Sequence, residues 1–313
     1  MKGEFEFIGN IRKAFPAPQG ITGIGDDCAI IPQQNGWDTL VSTDMLVEGT
    51  HFLKDDITPY QLGWKAGAVN ISDIAAMGGY PTGSFLALAL PKKLDSDWEN
   101  EFLRGYGDIS REYGFPLLGG DTTASPDGIG ICITVLGKAP HGKSLRRNTA
   151  KAGDLICVTG TLGDSAAGLE AILKGLPRSR ETEALIGRHY LPRPRLTEGQ
   201  QLAASPGVHA MMDISDGIGS DLRHIMEESG LGAEVDVRAI PLSEEMTAFC
   251  AAFGSDPVRL ALEGGEDYEL LFTVQPDSDP DLKVPHTVIG TMTKETALVW
   301  KGSDIDYCGY RHF

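Results

Sequence analysis

One local pattern restricts this chain more than any other: an apolar, strand-like run, then Gly, Ser or Thr, then Asp. It occurs as Gly23-Ile24-Gly25-Asp26-Asp27, Ser42-Thr43-Asp44, Gly119-Gly120-Asp121, Asp213-Ile214-Ser215-Asp216-Gly217 and Gly264-Gly265-Glu266-Asp267. A strand ending in glycine lets another backbone or a ligand approach closely, and the short carboxylate then projects from the strand end. Any one of these is also an ordinary turn, because Asp and Gly are turn formers. Five in one chain predict strand ends that converge on a cleft. Asp73 adds a carboxylate inside an otherwise apolar helical run, Asn70-Ile71-Ser72-Asp73-Ile74-Ala75-Ala76. Buried there, it needs a partner or a cation; a solvent-facing helical position is the bland alternative.

Helix and strand signals alternate around these motifs. Phe7, Ile8, Ile11, Ala14 and Phe15 have helical spacing and predict a short amphipathic helix. Thr58-Pro59-Tyr60-Gln61 reads as a capping box, with Thr58 as N-cap and Pro59 at the first helical position. Its helix carries Trp64, Ala68, Ile71 and Ala75 on one face and stops at Gly78-Gly79. Ser96-Asp97-Trp98-Glu99 reads as a second capping box, its helix ending near Gly114. Strands are expected at Thr39–Ser42, Ser84–Leu90, Phe115–Leu118 (buried) and Ile129–Leu136. After a polar stretch from Lys138 to Gly153 the pattern restarts. Strands follow at Leu155–Thr159, Val208–Met212 and Glu269–Val274, with helices from Gly163-Asp164-Ser165 to Leu173 and from Gly217 to Ser229. The expectation is an α/β (α+β) fold with two domains, 1–139 and 140–313, consistent with 313 residues at roughly 150 per domain.

The net charge of −17 argues against nucleic acid, which requires a basic face. No apolar run reaches membrane-spanning length, and the first residues do not read as a signal peptide, so a cytoplasmic enzyme is expected. Five scattered cysteines without a C-x-x-C pair read as buried thiols rather than a disulfide framework or a zinc site. Many carboxylates and few candidate histidines favour Mg²⁺, a hard cation that bridges carboxylates to phosphates. That combination points to phosphoryl transfer. Gly137-Lys138-Ala139-Pro140-His141-Gly142-Lys143-Ser144 matches the P-loop pattern, but no apolar helical period follows it and Gly153 interrupts the next segment. Asn70-Ile71-Ser72 matches a glycosylation sequon and is discounted because it lies in a helix.

Taken together, the motifs resemble the thiamine-monophosphate kinase family. The resemblance rests on Gly23–Ala29, Ser42–Phe52, Ala68–Gly78, Gly119–Thr122, Val158–Gly168, Asp213–Gly217, Gly264–Leu270 and the ending Gly309–Phe313. Single motifs are shared with the wider aminoimidazole ribonucleotide synthetase superfamily. The resemblance implies an N-terminal α/β domain that dimerises through its sheet, a C-terminal α/β domain, and an active site in the cleft between them. It implies several Mg²⁺ ions, with Asp27, Thr43, Asp44, Asp73, Asp121, Asp213 and Asp216 as ligands and Ser42 through its hydroxyl or backbone. ATP would touch Gly120, Asp121, Arg147 and Ser215; thiamine monophosphate would touch His51, Glu266 and Tyr310. Gly175–Gly187 and Gln275–Lys283 match no family motif.

On this reading no catalytic side chain acts as a general base, because the acceptor phosphate is already ionised. Three other readings stay open at this point. One is another ATP-using enzyme of the superfamily; a selenophosphate synthetase would carry a reactive Cys before Cys28, and none is present. The others are a P-loop NTPase using Lys143 and a non-catalytic divalent-cation-binding protein.

Overall fold

The computed structural model describes residues 4–95 and 97–310. Ser96 and the last three residues, 311–313, lie outside the described residues, and with them one proposed cap and most of the C-terminal motif. After α1 (Glu4–Ala14) come β1 (Ala29–Pro32), β2 (Trp37–Val47), α2 (Pro59–Ala76) and β3 (Tyr80–Pro91). Then follow α3 (Trp98–Tyr113), β4 (Leu117–Ser125) and β5 (Gly130–Pro140). The five strands form one sheet in the order β1-β2-β5-β3-β4, with only β3 and β4 parallel.

The second half contains β6 (Leu155–Val158), α4 (Asp164–Leu173), α5 (Arg180–Tyr190), α6 (Leu196–Ala204) and β7 (Val208–Asp213). It continues with α7 (Ile218–Ser229), β8 (Gly232–Asp236), α8 (Glu244–Phe253), α9 (Pro257–Glu263), β9 (Leu270–Val274), β10 (Thr287–Thr293) and β11 (Leu298–Lys301). Its sheet runs β11-β8-β10-β6-β9-β7. Sequence neighbours are rarely sheet neighbours here, which is why the strand order was not derivable from the chain.

Helix α2 joins the halves. Thr58 and Gln61 close the expected capping box. The sequence suggested one apolar face, but α2 is buried all round from Leu62 to Ser72. The first sheet, α3, α6 and β7 surround it, and a helix enclosed on every side has no solvated face. Its contact with α3 is backbone to backbone: a Cβ on Gly63 would stand 2.1 Å from the Phe102 carbonyl, and one on Gly105 1.9 Å from that of Tyr60. At the C-terminal end of α2, Ala75 and Ala76 pack with Leu202 of α6 and Cys157, Met211 and Phe272 of the second sheet.

Four local expectations are corrected. The strand expected to be buried at Phe115–Leu118 is an exposed edge: Phe115 is buried, but Leu117 and Leu118 are 46% and 55% exposed. Apolarity marked the residues without showing which face had a partner. The apolar stripe of α1 is not covered either, since Phe7 and Phe15 are exposed. Gly163 stands at the N-cap of α4 without a side-chain cap. The carboxylate of Asp267 accepts from the Gly163 and Ser165 amides instead (2.6 and 3.2 Å). Of the cysteines expected to be buried, Cys308 is exposed and Cys132 half-buried. No described helix is long and apolar enough to cross a membrane.

Candidate active site

Alternation along β2 sets the site. Leu40, Ser42, Asp44 and Leu46 point inward, and Thr43, Met45 and Val47 point outward. Ser42 thereby reaches α2, where its hydroxyl donates to Asp73. The strand end of β7 brings Asp213 to the same place, and the hydroxyl of Ser72 donates to it. The loop before β1 supplies Asp26 and Asp27. Carboxylate oxygens of Asp27, Asp73 and Asp213 all lie within 4.8 Å of one another, and Asp44 stands beside Asp73. Asp73 is therefore not the solvent-facing helical residue of the bland reading.

Arg147, in a single helical turn from Arg147 to Thr149, sends its guanidinium to Asp27, and its amide donates to Asp26 at 2.8 Å. One guanidinium cannot answer the whole cluster. Burial, with neighbouring carboxylates adding to it, pushes Asp213 up to about 8 and Asp73 well above the carboxylate range. Burial likewise lifts Asp44 and Asp26 to about 6. Such groups hold either protons or a cation. The donors are all oxygen, which fits Mg²⁺ rather than a softer metal, with Asp27, Asp44, Asp73 and Asp213 as the residues to hold it.

From the cluster a cavity of about 710 Å³ extends between the two halves of the chain. Asp44, Asp73, Asp213, Ser215 and Asp216 line one end; His51, Glu266 and Tyr310 line the rest, with Leu169 and Leu173. The Val47 amide donates to His51 Nδ1 at 3.0 Å, which places the proton of the neutral ring on Nε2. The Tyr310 amide donates to the Asp216 carbonyl at 2.9 Å and holds the tail against the cavity.

Glu266 is fixed differently. Lys65, fully buried in α2, donates to it at 3.0 Å, and His189 Nδ1 lies 3.3 Å away. Burial works to raise the Glu266 carboxyl, but the Lys65 ammonium holds it below its ordinary value. Burial, with Lys65 alongside, drives His189 down to about 3, so that ring is neutral. The backbone is left-handed at Glu266 (φ 64°) and Tyr268 (φ 52°). Each costs on the order of 1–2 kcal/mol and is held by amide donation to the Ser215 and Ile214 carbonyls (2.8 and 2.9 Å). Gly265 permits the crossing, since a Cβ there would meet the Ser215 carbonyl at 2.2 Å.

Comparison with known proteins decides the family. The AIR synthase related protein N-terminal domain matches residues 25–139, and the corresponding C-terminal domain matches 151–300. Thiamine-monophosphate kinase of Salmonella typhimurium is 44% identical over 93% of this chain and 92% of its own. That of Aquifex aeolicus is 35% identical over 99% and 98%. The chain belongs to the thiamine-monophosphate kinase family. A solved structure described as "AaThiL complexed with AMPPCP and TMP" superposes with a TM-score of 0.91 at 35% identity, covering 99% of this chain and 97% of that one.

Not every residue that the family resemblance nominated meets at the cluster. The Thr43 side chain lies on the outer sheet face, where it donates to the Ile133 carbonyl at 3.0 Å. Gly120 and Asp121 lie on β4, the exposed edge. Register runs Met45, Cys132, Ala87, Asp121 across four strands, which puts Asp121 roughly 14 Å from β2. The P-loop lookalike is the end of β5 and a turn: His141 and the Gly142 amide bond Asp38 (2.7 and 2.9 Å), no α-helix follows, and Lys143 is exposed. Asn70 is buried, as a glycosylation site could not be. Lys65, His189 and Asp26 were missed. Lys65 carried the same signal as Asp73, a lone charge in an apolar helical run.

Proposed function

We propose that the chain transfers the γ-phosphoryl group of ATP to the phosphate of thiamine monophosphate, forming thiamine diphosphate and ADP. The observation that carries this is the meeting of Asp27, Asp44, Asp73 and Asp213 with one arginine at one end of a cavity lined by His51, Glu266 and Tyr310. Family membership and the AMPPCP and TMP complex of a relative support it. Mg²⁺, held by Asp27, Asp44, Asp73 and Asp213 with Asp216 beside them, supplies charge neutralisation between the two phosphate groups. Arg147 and Ser215 contact ATP; Arg147 is already drawn to the cluster by Asp27. His51, Glu266 and Tyr310 hold the thiamine end, and Lys65 and His189 fix the Glu266 carboxylate toward it. The acceptor's second pKa is about 6, so its oxygen is ionised at neutral pH and no general base is needed. The reaction belongs in the cytoplasm, where ATP is abundant.

Asp121 and Gly120 fit this scheme in a homodimer. The outer face of the first sheet exposes Met45 and Phe85 around a flat centre of Ala87, Ala89 and Gly130. A solvated sheet face is normally polar; an apolar one marks an interface. Paired through it, each copy offers Asp121 and Gly120 to its partner's nucleotide. The domain division then falls at residues 139–140, the dimerising sheet on one side and the second sheet on the other.

Incubation with ATP, Mg²⁺ and thiamine monophosphate should yield thiamine diphosphate and ADP in equal amounts. Metal binding with ATP left intact would instead make the protein a cation binder. Mixing Asp121→Asn with Asp73→Asn chains should restore activity if the two residues serve a site from opposite subunits. No recovery in a mixed dimer would place Asp121 in its own chain's site.

A further inference from the structure

Among the described residues, a second group of metal-capable side chains lies apart from the carboxylate cluster. Cys157, Asp279 and His286 bring a sulfur, a carboxylate oxygen and a ring nitrogen within 4.8 Å of one another. Cys157 is on β6, fully buried against Met211, Phe272 and Val284. Asp279 and His286 lie on the connection from β9 to β10, which contains Gln275–Lys283, one of the stretches that matched no family motif. We propose that these three residues form a structural zinc site that clips this connection onto the second sheet.

The hydrogen bonds around His286 carry the argument. Its Nδ1 stands 2.7 Å from the Val284 carbonyl and its Nε2 stands 2.8 Å from Asp279. Both partners are acceptors, but a neutral imidazole has one N–H. With Nδ1–H given to Val284, Nε2 faces the Asp279 carboxylate and takes either a second proton or a metal ion there. A proton would pair Nε2 with Asp279 and leave the nearby sulfur without a role. The Cys157 sulfur at the same point makes a metal the better occupant, because thiolate, imidazole and carboxylate together match zinc. A backbone carbonyl on the far nitrogen is the usual orienting partner of a zinc-bound histidine. The ring also packs edge-on against Phe272, centroids 5.5 Å apart.

Burial keeps the Cys157 thiol protonated in the absence of metal. Zinc binding therefore displaces the thiol proton. Asp279 is the most accessible of the three, its side chain 25% exposed, and leaves a solvent side for water as the fourth ligand. The absence of C-x-x-C spacing did not expose this site, since its ligands come from residues 157, 279 and 286.

The test uses the untagged full-length protein. After dialysis against metal-free buffer and one equivalent of Zn²⁺, emission analysis should find one zinc per chain, retained in excess Mg²⁺. Co²⁺ in its place should give a thiolate-to-cobalt charge-transfer band, absent in Cys157→Ser. His286→Asn, which keeps a donor for Val284, should weaken Co²⁺ binding at least about tenfold. Asp213→Asn should keep the zinc and lose the kinase activity, which separates this site from the reaction. Circular dichroism confirms folding of each variant. Zinc at trace level in the wild type, or equal zinc in Cys157→Ser and His286→Asn, would overturn the proposal and leave an Asp279–His286 ion pair over a buried thiol.

Discussion

The two ends of the cavity bury carboxylates in opposite ways. At the Glu266 end the charge is answered inside the protein by Lys65. At the other end Asp27, Asp44, Asp73 and Asp213 crowd together with Arg147 as the cation against them. A paired buried charge fixes geometry; a buried excess of one sign is a place for something to bind. In the proposed reaction the paired end is the floor for one substrate, and the crowded end is the receptor for cations and phosphates.

The largest effect should come from breaking the paired end. Lys65→Met leaves Glu266 without its main partner and should cost about 3 kcal/mol of stability, read by urea unfolding. Adding Glu266→Gln should recover most of it. No recovery in the double variant would mean that Lys65 is not there for Glu266.

At the crowded end the same kind of change should do the reverse to stability and ruin function. Asp73→Asn should lower kcat by at least about a hundredfold, yet match or exceed the wild type in melting temperature without Mg²⁺. A destabilised, active Asp73→Asn protein would contradict both halves of that statement.

Without Mg²⁺, pH should act on the same end. Burial holds the native Asp213 carboxyl at about 8 and Asp44 at about 6, against about 3.9 in an unfolded chain. The native state binds more protons across that interval, so the stability these groups contribute is present below pH of about 4 and lost as pH rises to about 8. Saturating Mg²⁺ should flatten the slope. Melting curves that rise with pH across this window would refute the picture of uncompensated carboxylates.

The smallest effect is expected at Thr43. Its side chain is on the outer face, so Thr43→Val should change kcat by no more than about twofold. A large loss would mean that its hydroxyl serves the site.

Much of this was legible in the chain because its cause is local. The α2 start follows from Thr58, Pro59 and Gln61 within one turn, and the strand-end aspartates advertise themselves by the glycines and hydroxyls beside them. Asp73 stood out because its neighbours are apolar. What stayed hidden depends on partners far along the chain. The apolar letters of β4 look the same whether the strand is central or at an edge. Lys65 meets Glu266 across 201 positions, so no spacing could link them. The outward turn of Thr43 beside inward Ser42 and Asp44 depends on which face of β2 meets α2. Asp121 carries the family motif, but its place on an exposed edge is a property of sheet order.

The proposed reaction depends on divalent-cation capture by the carboxylates that Arg147 alone cannot neutralise. Titrating Mn²⁺ into wild type and an Asp73→Asn/Asp213→Asn variant, with a non-hydrolysable ATP analogue present, reads that capture by the loss of free Mn²⁺ signal. Tight stoichiometric uptake by the wild type and at least about tenfold weaker uptake by the variant is the predicted result. Equal uptake by both proteins would contradict it.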